Sequence, residues 1–152
     1  MGMSLKLPAS GRAVEVGKVL AIGRNYAEHA DEMEREVPDE PIVFLKPPSA
    51  LIRNGRTVQL PAQSNDVHHE VELVAVIGRR ARDVTEEKAM GHVEAYALGL
   101  DITARDLQTE AKKNGHPWSV SKGFDTFAPL GPVTPARRVG DPQNLDISLE
   151  RN

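Results

Sequence analysis

Cysteine is absent from the 152 residues, which removes disulfides, thiolate nucleophiles and thiolate metal sites together. Any metal is left to oxygen and imidazole ligands. Long apolar runs are missing as well. The N-terminal stretch MGMSLKLPASGRAVEVGKVLAIG has no continuous apolar segment of the signal-peptide kind, and no window approaches the length that spans a bilayer. The expectation is a soluble, cytoplasmic protein with no membrane partner. Positive charge is not in excess either: 19 Lys and Arg stand against 22 Asp and Glu, a formal net charge of -3, and the basic residues are scattered. Nucleic acid is therefore not an expected partner. There is no P-loop, no Rossmann glycine fingerprint and no G-x-S-x-G elbow, which argues against nucleotide binding and against a serine hydrolase.

What is present suits one domain of ordinary size. Eleven prolines and 12 glycines cut the chain into short, mostly strand-like pieces. They predict an α+β fold that is mostly β, a single domain over residues 1–152 with residues 1–17 as an N-terminal extension. KVLAIG and PIVFLKP read as strands, TVQLP as another after the turn signal RNG. NYAEHADEMERE, residues 25–36, is helix-competent but has a thin apolar face of Ala27, Ala30 and Met33, which fits a lid or a solvent-facing helix.

The stretch HHEVELVAVIG, residues 68–78, carries two glutamates in the first half of an apparent core strand. Strand alternation puts Glu70, Glu72, Val74 and Val76 on one face and Val71, Leu73, Ala75 and Ile77 on the other. Carboxylates at that spacing, about 7 Å apart at the backbone, can reach one small cation, although a solvated sheet edge carries the same pattern. A second acidic position follows in YALGLDITARDLQTEAKKNG. Here Asp101 is expected to close a strand, Thr103 to begin a helix, and Gly115 to end it. An aspartate at such a handover suits a ligand or a helix start. Glu70, Glu72 and Asp101 together form an all-oxygen set suited to Mg2+ or Mn2+. His68 shares the glutamate face and is a rival ligand for an iron site, which His69, on the opposite face, weakens. Arg105 and Gln108 stand three apart and share a helix face, and Lys122 alternates with Val120 and Phe124 on a partly apolar face.

The motifs GRNYAEHADEM, PIVFLKPPSALI, HHEVEL, LGLDITARDLQ and PWSVSKGFD resemble the fumarylacetoacetate hydrolase family, from about Val19 onward. The resemblance implies a mixed β-roll with few short helices, a homodimer, and a divalent cation, Mg2+ or Mn2+, held at Glu70, Glu72 and Asp101. It also implies an enzyme acting on a small 2-oxo acid, as an acylpyruvate hydrolase or oxaloacetate decarboxylase, through an enolate that the cation stabilises. The alternatives are a 2-hydroxyhepta-2,4-diene-1,7-dioate isomerase, an oxaloacetate tautomerase, or a shortened member that binds without turnover. By the same resemblance His29 is the base that aims water and Glu32 its orienter, while Lys122, on its partly apolar face, is placed to stabilise developing negative charge. Arg24, Lys46, Arg105 and Gln108 are then candidates for binding substrate, while Trp118 packs. After NLDISLERN the family pattern continues with further strands and a Thr-Gly-Thr-Pro loop, so the C-terminal part is expected to be missing. Leu145, Ile147 and Leu149 are read as a last strand without its pair.

Overall fold

A computed structural model of the chain describes residues 3–23, 25 and 40–152. Strands β1 (Ser4–Lys6) and β2 (Ala13–Glu15) form one antiparallel hairpin, and β3 (Val19–Gly23) pairs with β4 (Ile42–Lys46) as a second two-stranded unit. The remaining strands build a five-stranded sheet: β5 (Leu51–Arg53), β6 (Val67–Ile77), β7 (Val93–Ala104), β8 (Ala128–Leu130) and β9 (Thr134–Pro135). Its order is β5-β8-β7-β6, with β9 also on β7. Among the described residues four short α-helices accompany them: α1 (Glu86–Ala89), α2 (Arg105–Lys113), α3 (Ser119–Lys122) and α4 (Ala136–Val139).

β7 is the axis of this sheet because β6 pairs along one edge and β8 and β9 along the other, and most of its length is covered on both faces. Ala95, Tyr96, Ala97, Gly99, Asp101, Ile102, Thr103 and Ala104 are all buried. On one face Ile102 and Ala104 pack with Ala50, Phe127 and Ala128, flanked by Leu100, Val67, Leu107 and Phe124. The opposite face carries Asp101 and Thr103. A strand covered on both sides loses the simple alternation of polar and apolar residues.

Strands β3, β4 and β6 lie where the sequence predicts them. β7 does not stop at Asp101: it runs on to Ala104, because Val67, His68 and His69 of β6 extend the antiparallel ladder opposite Ala104, Thr103 and Ile102. The helix therefore starts at Arg105, whose N–H is taken by the carbonyl of Asp66 at 2.7 Å. It ends at Lys113, near the expected Gly115, whose positive φ of 67° lets the His116 N–H reach the Ala111 carbonyl. TVQLP forms no strand: the Gln59 N–H bonds the Thr126 hydroxyl at 2.8 Å instead of a ladder. Residues 145–149 likewise form no strand. Lys122 sits on helix α3, not on an alternating strand. The helix expected over 25–36 lies, beyond Asn25, outside the described residues.

The first hairpin is pinned to the far end of β6 and β7. Arg12 donates to the Gly78 carbonyl at 2.5 Å, Ser10 donates to Glu94 at 2.6 Å, and Leu7 is fully buried. Among the described residues no helix is long and apolar enough to cross a membrane.

Candidate metal centre

The register of β6 and β7 assembles the carboxylates. Glu70 stands opposite Asp101 and Glu72 opposite Gly99, and direct partners in an antiparallel pair project from the same face. One oxygen from each of Glu70, Glu72 and Asp101 lies within 4.8 Å of the other two. A cation bonded to hard oxygens at about 2.0–2.6 Å requires this scale of separation. The set is half-buried to buried and contains only oxygen donors, so it fits Mg2+ or Mn2+. Gly99, opposite Glu72, is closely packed and leaves no room for a side chain: a Cβ there would stand 2.8 Å from Val74 Cγ2.

Three cations from three different elements close around these oxygens. Lys46, the last residue of β4, donates to Asp101 Oδ1 at 2.5 Å and to the Ile102 carbonyl at 3.0 Å. Lys122, the last residue of α3, donates to Asp101 Oδ2, to Glu70 Oε2 at 3.3 Å and to the Thr103 hydroxyl at 2.7 Å. Its ammonium also lies 4.9 Å from the centroid of the Phe44 ring. Arg105, at the start of α2, bonds Glu70 Oε1 with one guanidinium nitrogen and Gln108 Oε1 with another at 2.8 Å. Both lysines are almost completely enclosed.

The glutamates differ in their partners. Burial pulls the Glu70 carboxyl upward, but Lys122 and Arg105 outweigh it and hold Glu70 below the usual carboxylate range. Glu72 has no hydrogen-bond or ion-pair partner among the described residues. Burial, then the charges of Asp101 and Glu70, raise it to about 7. Burial also lowers Lys46 from the usual lysine value, more than Asp101 raises it.

Of the site residues named from sequence, the structure brings together Glu70, Glu72, Asp101, Lys46, Lys122, Arg105 and Gln108. Gln108 is buried with its amide oxygen on Arg105. His68 is not part of the carboxylate cluster: it is exposed, with Nε2 2.9 Å from Asp66 Oδ1. Arg24, His29 and Glu32 lie outside the described residues. Trp118 packs, its ring 5.6 Å from that of Phe44 and beneath the Lys112 ammonium. Two contributors went unnoticed in the sequence. Thr103 has the sequence signature of a helix start, and no local pattern marks a hydroxyl that will meet Lys122. Asp106 anchors the start of α2 by accepting from Ser64 Oγ at 2.6 Å and from the N–H groups of Asn65 and Leu107. These bonds hold it below the usual carboxylate range. An acid in a first helical turn was its available signal.

Residues 18–152 match the family described as fumarylacetoacetate (FAA) hydrolase C-terminal. The chain is 50% identical over 133 residues to a mitochondrial oxaloacetate tautomerase of Arabidopsis thaliana, covering 88% of this chain and 60% of the relative. It is 46% identical over 131 residues to a mitochondrial oxaloacetate decarboxylase of Dictyostelium discoideum, covering 86% of this chain and 60% of the relative. Among solved structures, a fumarylpyruvate hydrolase from Pseudomonas aeruginosa in complex with Mn2+ and pyruvate superposes with a TM-score of 0.81 at 43% identity, covering 93% of this chain and 63% of that one. The chain thus spans about 60% of the length of the curated relatives it matches.

Proposed function

The chain belongs to the fumarylacetoacetate hydrolase family, and from that membership we propose that it acts on a small 2-oxo acid at a divalent-cation centre formed by Glu70, Glu72 and Asp101. The observation that carries this reading is the convergence of three carboxylates, their oxygens within 4.8 Å, inside a ring of cationic side chains. When bound, Mg2+ or Mn2+ supplies Lewis-acid charge to the carboxylate and 2-oxo oxygens of the substrate.

The chain's own residues do the rest. Lys122 holds a positive charge beside the site where a 2-oxo acid becomes negative as its C3 proton leaves. The Phe44 ring covers one side of that ammonium and excludes water, which strengthens its field. Thr103 keeps the ammonium from swinging away. Arg105, steadied by Gln108, presents a guanidinium suited to a substrate carboxylate. This arrangement suits keto–enol interconversion of oxaloacetate, in which a C–H bond is exchanged for an O–H bond and no water is consumed. The tautomerase and decarboxylase relatives support that substrate. Carbon–carbon hydrolysis is the second reading, favoured by the fumarylpyruvate hydrolase likeness. It requires a base to aim water, the role proposed for His29 with Glu32.

The test follows oxaloacetate enol absorbance, decarboxylation and acylpyruvate cleavage with Mn2+ or chelator present. Turnover is expected to vanish with chelator and in the Glu70→Gln, Glu72→Gln double variant. Turnover that survives both would refute the cation-dependent reading. His29→Ala is expected to impair acylpyruvate cleavage far more than oxaloacetate decarboxylation, and equal losses would remove His29 from the water-aiming role.

A further inference from the structure

The family resemblance makes Lys46 a candidate for binding substrate, but a substrate-binding lysine needs a donor on the open side of its site. Lys46 is 3% exposed, and its ammonium is turned onto β7, with Asp101 Oδ1 at 2.5 Å and the Ile102 carbonyl at 3.0 Å. The Phe127 ring, 6.0 Å away, adds an apolar surface on another side. We propose that Lys46 is a positioning residue: it clamps Oδ1 of Asp101 so that Oδ2 stays turned toward the glutamates, and it does not touch substrate. This inference rests on the cation-centre reading above.

Three features make the clamp specific. Lys46 arrives from the β3–β4 unit, whereas Asp101 belongs to the five-stranded sheet, so the contact ties two separate sheets together at a proposed ligand. Its backbone is held on both sides, by pairing with Val19 and by the consecutive prolines Pro47 and Pro48. Pro47 in turn meets Gly123, the residue after Lys122: a Cβ on Gly123 would lie 3.3 Å from Pro47 Cδ. The Pro47 ring therefore lies against the Gly123 backbone, so the residues that follow the two lysines holding the two oxygens of Asp101 pack on each other. Oδ2 shares Lys122 with Glu70, which keeps that oxygen on the glutamate side.

The experiment is a Mn2+ titration followed by water-proton relaxation on the wild-type chain, Lys46→Met, Asp101→Asn and their double variant, with Glu70→Gln, Glu72→Gln as reference. Lys46→Met is expected to weaken Mn2+ binding roughly 10- to 100-fold, as loss of an outer-shell partner does. It is also expected to change the relaxation per bound ion, because a loosened carboxylate cedes a position to water. In the Asp101→Asn background the same substitution should cost no further affinity. At saturating Mn2+ the KM for oxaloacetate should match wild type. Wild-type affinity in Lys46→Met, additive losses in the double variant, or a raised KM at saturating Mn2+ would each overturn the positioning role. If wild type fails to bind Mn2+, or binds no better than the glutamate double variant, the cation-centre reading itself falls, and this proposal with it. Should Lys46→Met not fold by circular dichroism, Lys46→Gln replaces it in the same cycle with the same expectations.

Discussion

Glu72 and Glu70 are two residues apart on one strand face, yet only Glu70 meets cationic partners among the described residues. That difference has a pH signature. Folding raises the Glu72 carboxyl from its ordinary 4.5 to about 7, so the folded chain favours the protonated form. The stability this provides is complete below pH 4.5 and is lost as pH rises through about 7. The loss is on the order of 3 kcal/mol. Urea unfolding of the cation-free chain is expected to show this fall between about pH 4.5 and 7, and Glu72→Gln should flatten it. Cation binding has the opposite dependence: below about pH 7 it must expel the Glu72 proton, so Mn2+ affinity should drop about tenfold per pH unit there. Thr103 offers a second test at this scale. Its hydroxyl is fully enclosed and accepts from Lys122 at 2.7 Å. Thr103→Val keeps the shape and removes the acceptor, for an expected loss of about 1–3 kcal/mol in urea unfolding.

Helix α3 shows what a short element contributes. Its four residues deliver Lys122, and Gly123 ends it where backbone passes close to backbone: a Cβ there would come 2.5 Å from the Ser119 carbonyl oxygen. Gly123→Ala is therefore expected to shift α3, destabilise the chain by about 1–3 kcal/mol, and weaken Mn2+ binding, with denaturation and relaxation titration as the measurements. β6 was legible in the sequence because its alternation is local, and the handover at Asp101 was not. The last residues of β7 look like a helix start until Val67 to His69 are placed beside them, and then the ladder continues to Ala104. TVQLP shows the converse, a strand-like pattern with no neighbouring strand to pair with among the described residues. Strand preference is a preference for a half-buried pleated surface, and that surface is supplied by other parts of the chain.

Across the whole molecule, a ligand that binds only the folded chain stabilises it by mass action. Mn2+ at about 100 times its dissociation constant is expected to add about 2.7 kcal/mol. Thermal denaturation should show the gain, a chelator should reverse it, and Glu70→Gln, Glu72→Gln should abolish it. The sequence alone determined the available donor chemistry, since without cysteine a metal must rest on oxygen or nitrogen. It also determined the glutamate pair, whose two-residue spacing follows from strand geometry, and motifs specific enough to indicate the family. Tertiary structure decided which charge meets which. Arg105 lies 35 positions from Glu70, Lys122 lies 21 from Asp101, and Lys46 lies 55 from Asp101. It separated Glu70, paired with Arg105 and Lys122, from Glu72, which has no such partner among the described residues, kept His68 out of the cluster and turned Lys46 toward Asp101. Desolvation and hydrogen bonding act through space over a few ångströms, so they depend on neighbours that chain folding supplies and that no local pattern records.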